Sequence, residues 1–473
     1  MTECSGTQLE FHALGRRAVV GNFDGGAISS DAGGLLLGEV EAHTGILARL
    51  AAQFIDYRDP ELIEHNVREL LAQRVYGLAL GYEDLNDHDR LRLDPLLAVL
   101  VGKRDPSGQD RVREQDRGKP LASSSTLNRL ELTPGNANAD SRYKKIVAKP
   151  AGIDQLMVDC FLDAHAEPPA SIWLDLDATD DPLHGDQEGR FFHGYYGHYC
   201  YLPLYIFSGE HILCARLRES NIDAAAGSVD EVQRIVAQIR TRWPQVEIIV
   251  RGDSGFCREE LMAWCEANDV HFLFGLAKNK RLNKRLGDAL LEAERQYHLS
   301  GCASRVFEDF RYQTHKSWSQ SRRVVGKAEH LSNGANPRFV VTSLPVERAD
   351  ARSLYEELYC ARGDMENRIK EQQLDLFADR TSTQTLRANQ LRLYFSSFAY
   401  ILLCALRNLG LQETEMVNAQ CGTIRTKLLK IGAQVRISVR RVWIAFSESY
   451  PFADLLRTVL ANLQGAPRWA GAP

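Results

Sequence analysis

The stretch that most constrains this chain lies between residues 171 and 277, where apolar runs alternate with helical patterns. Residues 172–177 read as a strand. YLPLYIFS (201–208) and HILCARLR (211–218) follow as two more, joined by the hairpin signal Ser208-Gly209-Glu210. SVDEVQRIVAQIRTRW (228–243) opens with Ser228 and carries Glu231 three residues later, the capping-box pattern of a helix start. VEIIVRGD (246–253) has the composition of a buried strand, REELMAWCEAND that of a helix, and HFLFGLA (271–277) that of another strand. The order β-β-β-α-β-α-β predicts a mixed sheet covered by helices, an α/β architecture.

Acids gather where these strands end. Between 175 and 188 stand Asp175, Asp177, Asp180, Asp181, Asp186 and Glu188. Asp175 and Asp177 are two apart on a strand and share a face, with Ile172, Leu174 and Leu176 on the other. Asp253 follows the buried run Ile248-Ile249-Val250, and sites in open α/β sheets form just beyond strand ends. If the two strands are neighbours, Asp177 and Asp253 converge. Paired carboxylates repel, and a cation offsets that cost. Oxygen donors without cysteine or histidine favour Mg²⁺ or Mn²⁺ over zinc. A third ligand is available in YCARGDMENRIKE, where Tyr359, Arg362, Glu366 and Lys370 recur at helical spacing on one face. Each signal alone has a plain alternative: strand-end acids are common, and an amphipathic surface helix also presents such a face. Asp180, Asp181 and Asp186 read as loop acids that cap turns, Asp175 as a supporting acid, and His184 as a loop histidine beside the site.

Around this block, residues 1–150 read as mainly helical, from SSDAGGLLLGEVEAHTGILARLAAQF through DPELIEHNVRELLAQRVYGLALG, with Pro60 near a first turn, to SSSTLNRLEL. Residues 151–277 hold the first part of the α/β core, 278–350 a β-rich insertion, 351–377 a long helix, and 378–473 a helical, basic remainder. The formal net charge is −5, but it conceals basic clusters. KNKRLNKR begins at Lys278 and includes Lys280 and Arg281; the run 421–443 includes Arg436, Arg440 and Arg441 and contains no acid. Basic clusters on an acidic chain fit a polyanionic partner beside a separate acidic site. The ten cysteines are scattered, with neither C-x-x-C pairs nor zinc spacing, which fits a reducing cytoplasm. The N-terminus lacks the apolar core of a signal peptide. LYFSSFAYILLCALRNLGL is interrupted by Ser396, Ser397 and Arg407 and reads as a buried helix, not a membrane span.

Three stretches, LDLDATDDPLHGDQEG…GYYGHYCYLPLYIF, VRGDSGF and YCARGDMENRIKE, occur in that order, with FDGGAISSDAGGLLL before them and KLLKIGAQVRISVRRV after them. On these the chain resembles the DDE transposases of bacterial insertion sequences, most closely the insertion sequence 1380 family. The resemblance implies an RNase-H-like catalytic core with a β-rich insertion before the last catalytic helix. It also implies a catalytic, metal-binding triad of Asp177, Asp253 and Glu366 using a pair of Mg²⁺ or Mn²⁺ ions. Asp177 is singled out over Asp175 because Ala178 and Thr179 follow it. Tyr359 and Arg362 match a Tyr-x-x-Arg-x-x-x-Glu signature whose first two members bind phosphates near the cut strand. The signature continues with lysine seven residues after the glutamate; here that position is Gln373, and Lys370, one turn after Glu366, is the candidate stand-in.

The implied reaction hydrolyses a phosphodiester at each transposon end and then joins the freed 3′-OH to target DNA. The implied partners are double-stranded DNA, as terminal inverted repeats and target, and a second copy of the chain in a synaptic dimer. The implied setting is the bacterial cytosol. Trp318, in THKSWSQSRR, either stacks on an unpaired or flipped base or belongs to the core. The N-terminal region is the candidate reader of the repeats, and the basic run 421–443 the candidate phosphate contact. Two other readings stay open: an RNase-H-like nuclease that cuts without joining, and a DNA-binding protein with a dead site.

Overall fold

A computed structural model describes residues 8–472; the first seven residues of the expected helical N-terminal region lie outside it. Two units are present, 148–404 and 8–147 with 405–468. In the first, the helix α1 (Pro150–Asp163) leads into β1 (Ser171–Ala178), followed by the hairpin β2 (Leu204–Ser208) and β3 (His211–Arg216). Next come α2 (Ser228–Arg242), β4 (Glu247–Gly252), α3 (Glu259–Ala267) and β5 (His271–Leu276). The order anticipated for 171–277 is present and forms a mixed sheet, with three short strands not anticipated between β1 and β2 (Asp181–Pro182, Phe191–His193 and His198–Tyr201) that pair in a small sheet of their own. β1 pairs in parallel with β4 and antiparallel with β2, and β4 pairs in parallel with β5.

Period-two alternation explains the placement of β1. Ile172, Leu174 and Leu176 join the core formed with α2 and α3, while Trp173 packs on the opposite side of the sheet. The parallel register matches Asp175 with Arg251 and Leu176 with Gly252, so the strand ends carrying Asp177 and Asp253 lie side by side.

The segment 278–350, expected to be β-rich, carries three longer strands and two helices. Its strands β6 (Ser304–Tyr312), β7 (Arg322–Leu331) and β8 (Arg338–Thr342) continue the same sheet, in the order β3-β2-β1-β4-β5-β8-β7-β6. β8 closes the edge of β5, where buried Leu273 and Phe274 would otherwise leave an unpaired row of backbone groups. Two helices, Lys280–Arg285 and Gly287–Ser300, precede these strands. The basic run masks their apolar face, because Leu282, Leu286, Ala289 and Ala293 recur at helical spacing and are buried.

The helix expected over 351–377 is not continuous. A short turn at Ala351–Ser353 passes into a π-helical stretch, Leu354–Tyr359, then a 3-10 turn, Cys360–Arg362, and only then α4 (Gly363–Leu376). Phe377, at φ 58°, ends it in the left-handed region. α5 (Leu386–Gly410) is long and apolar enough to cross a membrane, but 89% of its most apolar window is buried within the protein. The Gln372 side chain donates to the buried Ser397 hydroxyl at 2.8 Å, fastening α4 to α5.

In the other unit, the helix read through 29–54 breaks at Gly45 (φ 61°) into Leu35–Thr44 and Ile46–Ala51. Pro60 opens only a 3-10 turn. The helix begins at Val67, where Asn66 and Glu69 form a reciprocal capping box. The C-terminal remainder is not wholly helical: β9 (Ala433–Ile437) and β10 (Val442–Phe446) form a hairpin that also pairs with Ile28–Ser29. Ala433, Val435 and Ile444 face a small core at strand spacing, which overrides any helical tendency of the run. A second hairpin, Leu9–Leu14 with Arg17–Gly21, also stands in the region expected to be helical.

Candidate active site

Two strand ends and the start of α4 build the site. Asp177 is the penultimate residue of β1, and Asp253 is the first residue after β4, its carboxylate accepting from the Gly255 amide at 2.8 Å. Glu366 sits in the first turn of α4. Arg362, just before that helix, spans two of the three: its Nη2 donates to Glu366 at 2.7 Å and its Nη1 lies 3.6 Å from Asp177. That Nη1 has no hydrogen-bond partner among the described residues. Burial pushes the Asp177 carboxyl up to about 7; Arg362 opposes the shift, and the charges of Asp253 and Glu366 add to it. The cluster therefore holds more negative charge than its one guanidinium relieves.

Asp175, the rival on the same face, has another occupation. It is buried and takes both oxygens' worth of pairing from Arg251, at 2.5 and 2.7 Å. Arg251 also donates to the Leu358 carbonyl and stacks on Trp173, 4.9 Å from the ring centre. This bidentate pair ties β1 and β4 to the helical stretch that carries Tyr359.

Tyr359 packs against Tyr355 and lines a cleft with Asp253, Ser254, Lys278 and Arg338. Gly275 makes its position possible: a Cβ there would fall 2.5 Å from the Tyr359 hydroxyl and 2.9 Å from the Ser254 amide. Nothing in the local sequence marks this glycine, because the close approach comes from residues distant in the chain.

Lys370 is exposed on α4. Gln373, where the signature has lysine, donates to Asp181 at 3.1 Å and reaches the Asp180 carbonyl at 3.4 Å. Asp181 is thus not a solvated turn cap. It is fully buried, its second oxygen has no partner among the described residues, and burial holds its carboxyl well above the usual range. Asp180 contacts His198 at 2.7 Å, and Asp186 pairs with Arg190 at 2.7 Å. His184 is exposed and is not drawn into the acidic cluster. Trp318 is 7% exposed, edge-on to Tyr312 and beneath Arg322, and packs in the core.

The family model of the transposase DDE domain, group 1, matches residues 11–468. The chain belongs to this family. No curated protein matches it. Among solved structures, a piggyBac transposase synaptic complex with hairpin DNA aligns at 10% identity and a TM-score of 0.42, covering 85% of this chain and 80% of that one.

The basic residues of this transposase fall into two groups. Lys278 lines the cleft beside Asp253, while Lys280 and Arg281 begin the following helix, Arg281 lying over Tyr312 at 5.1 Å. Arg436, Arg440 and Arg441 belong to the β9–β10 hairpin of the other unit and are exposed. DDE transposases use divalent metal ions. Among the described residues no three His, Cys, Asp or Glu side chains are arranged to hold an ion as they stand; the Arg362 guanidinium lies between Asp177 and Glu366. The donor set still fits: all oxygen, mutually repelling, and under-neutralised.

Proposed function

We propose that this transposase acts on its own terminal inverted repeats as an RNase-H-like enzyme of the insertion sequence 1380 type. In this reading it cuts the DNA ends and joins their 3′-OH groups to target DNA, with Asp177, Asp253 and Glu366 as the catalytic carboxylates. The observation that carries the reading is the sharing of one arginine by Asp177 and Glu366, from distant parts of the chain, at a strand end beside Asp253. These three side chains would hold Mg²⁺ or Mn²⁺, a pair of ions that would supply activation of the attacking oxygen and relief of charge at phosphorus. Arg362 is already poised for an oxyanion. A backbone phosphate competes for its unpartnered Nη1 and draws it from the carboxylates, taking two oxygens at once. Tyr359 donates its hydroxyl to a phosphate oxygen in the same cleft, and Lys278 adds a point charge at its wall. The same groups serve both displacements, because each is an in-line attack at phosphorus. Two copies of the chain would hold two ends in a synaptic dimer, in the bacterial cytosol.

The test is substitution of Asp253 by Asn. Cleavage of a duplex carrying the DNA that flanks the gene is expected to vanish while binding of that duplex persists. Surviving cleavage would overturn the assignment.

A further inference from the structure

The β9–β10 hairpin divides into two halves. Its base is packed, with Ala433, Val435 and Ile444 against the small core. Its outer half, from Arg436 to Trp443, is exposed on both strands: Val439 stands fully in solvent and Trp443 is 60% exposed. The register pairs Arg436 with Trp443 and Ile437 with Val442. Ser438 and Arg441 close the end, with the Ser438 amide donating to the Arg441 carbonyl at 2.9 Å. Val439 and Arg440 are left as a two-residue turn.

That turn is unusual. Two-residue hairpin loops favour Asn-Gly or a glycine at positive φ, yet neither Val439 nor Arg440 is among the residues with positive φ. A β-branched apolar side chain at the apex of an exposed turn does nothing for folding. One face of the ribbon carries Gln434, Arg436, Arg441 and Trp443, with Arg436 braced by a 2.8 Å bond to Gln434. No acid occurs from 421 to 447.

We propose that this ribbon enters a groove of duplex DNA, Arg436, Arg440 and Arg441 meeting phosphates while Val439 and Trp443 touch bases. The inference rests on the transposase reading above. A two-stranded ribbon fits the major groove, about 12 Å wide. The unbroken positive charge complements a phosphate backbone, and the projecting valine and tryptophan supply the apolar contact that phosphate binding alone does not require.

The experiment measures binding of the full chain to two duplexes of equal length, one carrying the DNA that flanks the gene and one of random sequence, across a salt series. Changing Arg440 and Arg441 together to Ala is expected to lower the log–log salt slope by about 1.8, ~0.9 for each lost phosphate contact. Changing them to Lys is expected to retain the slope. Trp443→Ala is expected to narrow the affinity ratio between the two duplexes severalfold with little change in slope. An unchanged melting temperature checks the fold, since every altered side chain is exposed. Normal slope and normal ratio in these variants would overturn the ribbon inference alone. Failure of the unaltered protein to bind either duplex would overturn the transposase reading itself. Binding of the ribbon to anionic phospholipid vesicles, with duplex affinity untouched by the variants, would assign it to a lipid surface and refute the proposal.

Discussion

Asp175 and Asp177 stand two residues apart on one face of β1, and replacing each by asparagine should have opposite consequences. Asp175 is locked in a buried ion pair with Arg251, both side chains under a tenth exposed. Removing its charge strands a buried guanidinium, which costs about 3–5 kcal/mol. Asp177 is held near pH 7 by burial and by Asp253 and Glu366. Its folded value lies above its unfolded value, so stability is fully present below about pH 4 and is lost as pH rises through about 7. At pH 8 the ionised carboxylate burdens the metal-free fold by up to about 4 kcal/mol, taking ~1.4 kcal/mol for each pH unit. Asp177→Asn should therefore be neutral or stabilising at pH 8, while abolishing cleavage. Denaturant unfolding at pH 8, with chelator and with Mn²⁺, reads both effects, and the fluorescence of Trp173, stacked under Arg251, reports on the pair directly. Asp175→Asn should lower the midpoint and keep stabilisation by Mn²⁺; Asp177→Asn should hold or raise the midpoint and lose it. If Asp175→Asn left stability intact but removed the metal response, the roles would be reversed and the reasoning refuted.

Other outcomes follow from the same geometry. Asp181→Asn should gain stability relative to the unaltered protein as pH rises above the ordinary carboxylate range, because burial raises that carboxyl in the folded state; a pH-independent difference in unfolding midpoints would contradict this. Gly275→Ala should displace the Tyr359 hydroxyl and slow cleavage as much as Tyr359→Phe, and the double substitution should cost little more than either; additive losses would show that the two act separately. Trp318→Ala should cost about 3–5 kcal/mol of stability without selectively weakening DNA binding, and a stable variant with weakened binding would restore a DNA-stacking role.

The central sheet was legible because its strands are short apolar runs set apart by helical patterns, and Ile172, Leu174 and Leu176 face one core as their alternation requires; the capping box read at Ser228 is not formed, since Gly227, at φ 73°, caps that helix and the Ser228 hydroxyl has no partner among the described residues. The acids of the site were visible for a similar reason, since Asp253 ends a buried run and Glu366 shares a helical face with Arg362. What escaped was set by long-range contacts. Leu282, Leu286, Ala289 and Ala293 make two helices amphipathic inside a run dominated by basic residues. Nothing near Asp175 names Arg251 as its partner. Gly275 matters only because Tyr359 arrives from a later segment. Gln373 looks like a lost lysine until it is seen holding Asp181. The broken helix before Glu366 keeps the right spacing on paper while changing its backbone, and a π-helical stretch at such a place is itself a frequent mark of function.

The central claim, that three carboxylates run a cut-and-join reaction on DNA, is tested most directly by strand transfer. Pre-cleaved ends bearing the DNA that flanks the gene are incubated with a plasmid, Mg²⁺ or Mn²⁺, and either the unaltered protein or Asp253→Asn. Joined products with the unaltered protein and none with the variant are expected. Cleavage of uncut ends without any joining would make the protein a nuclease, and joining that survives Asp253→Asn would contradict the account.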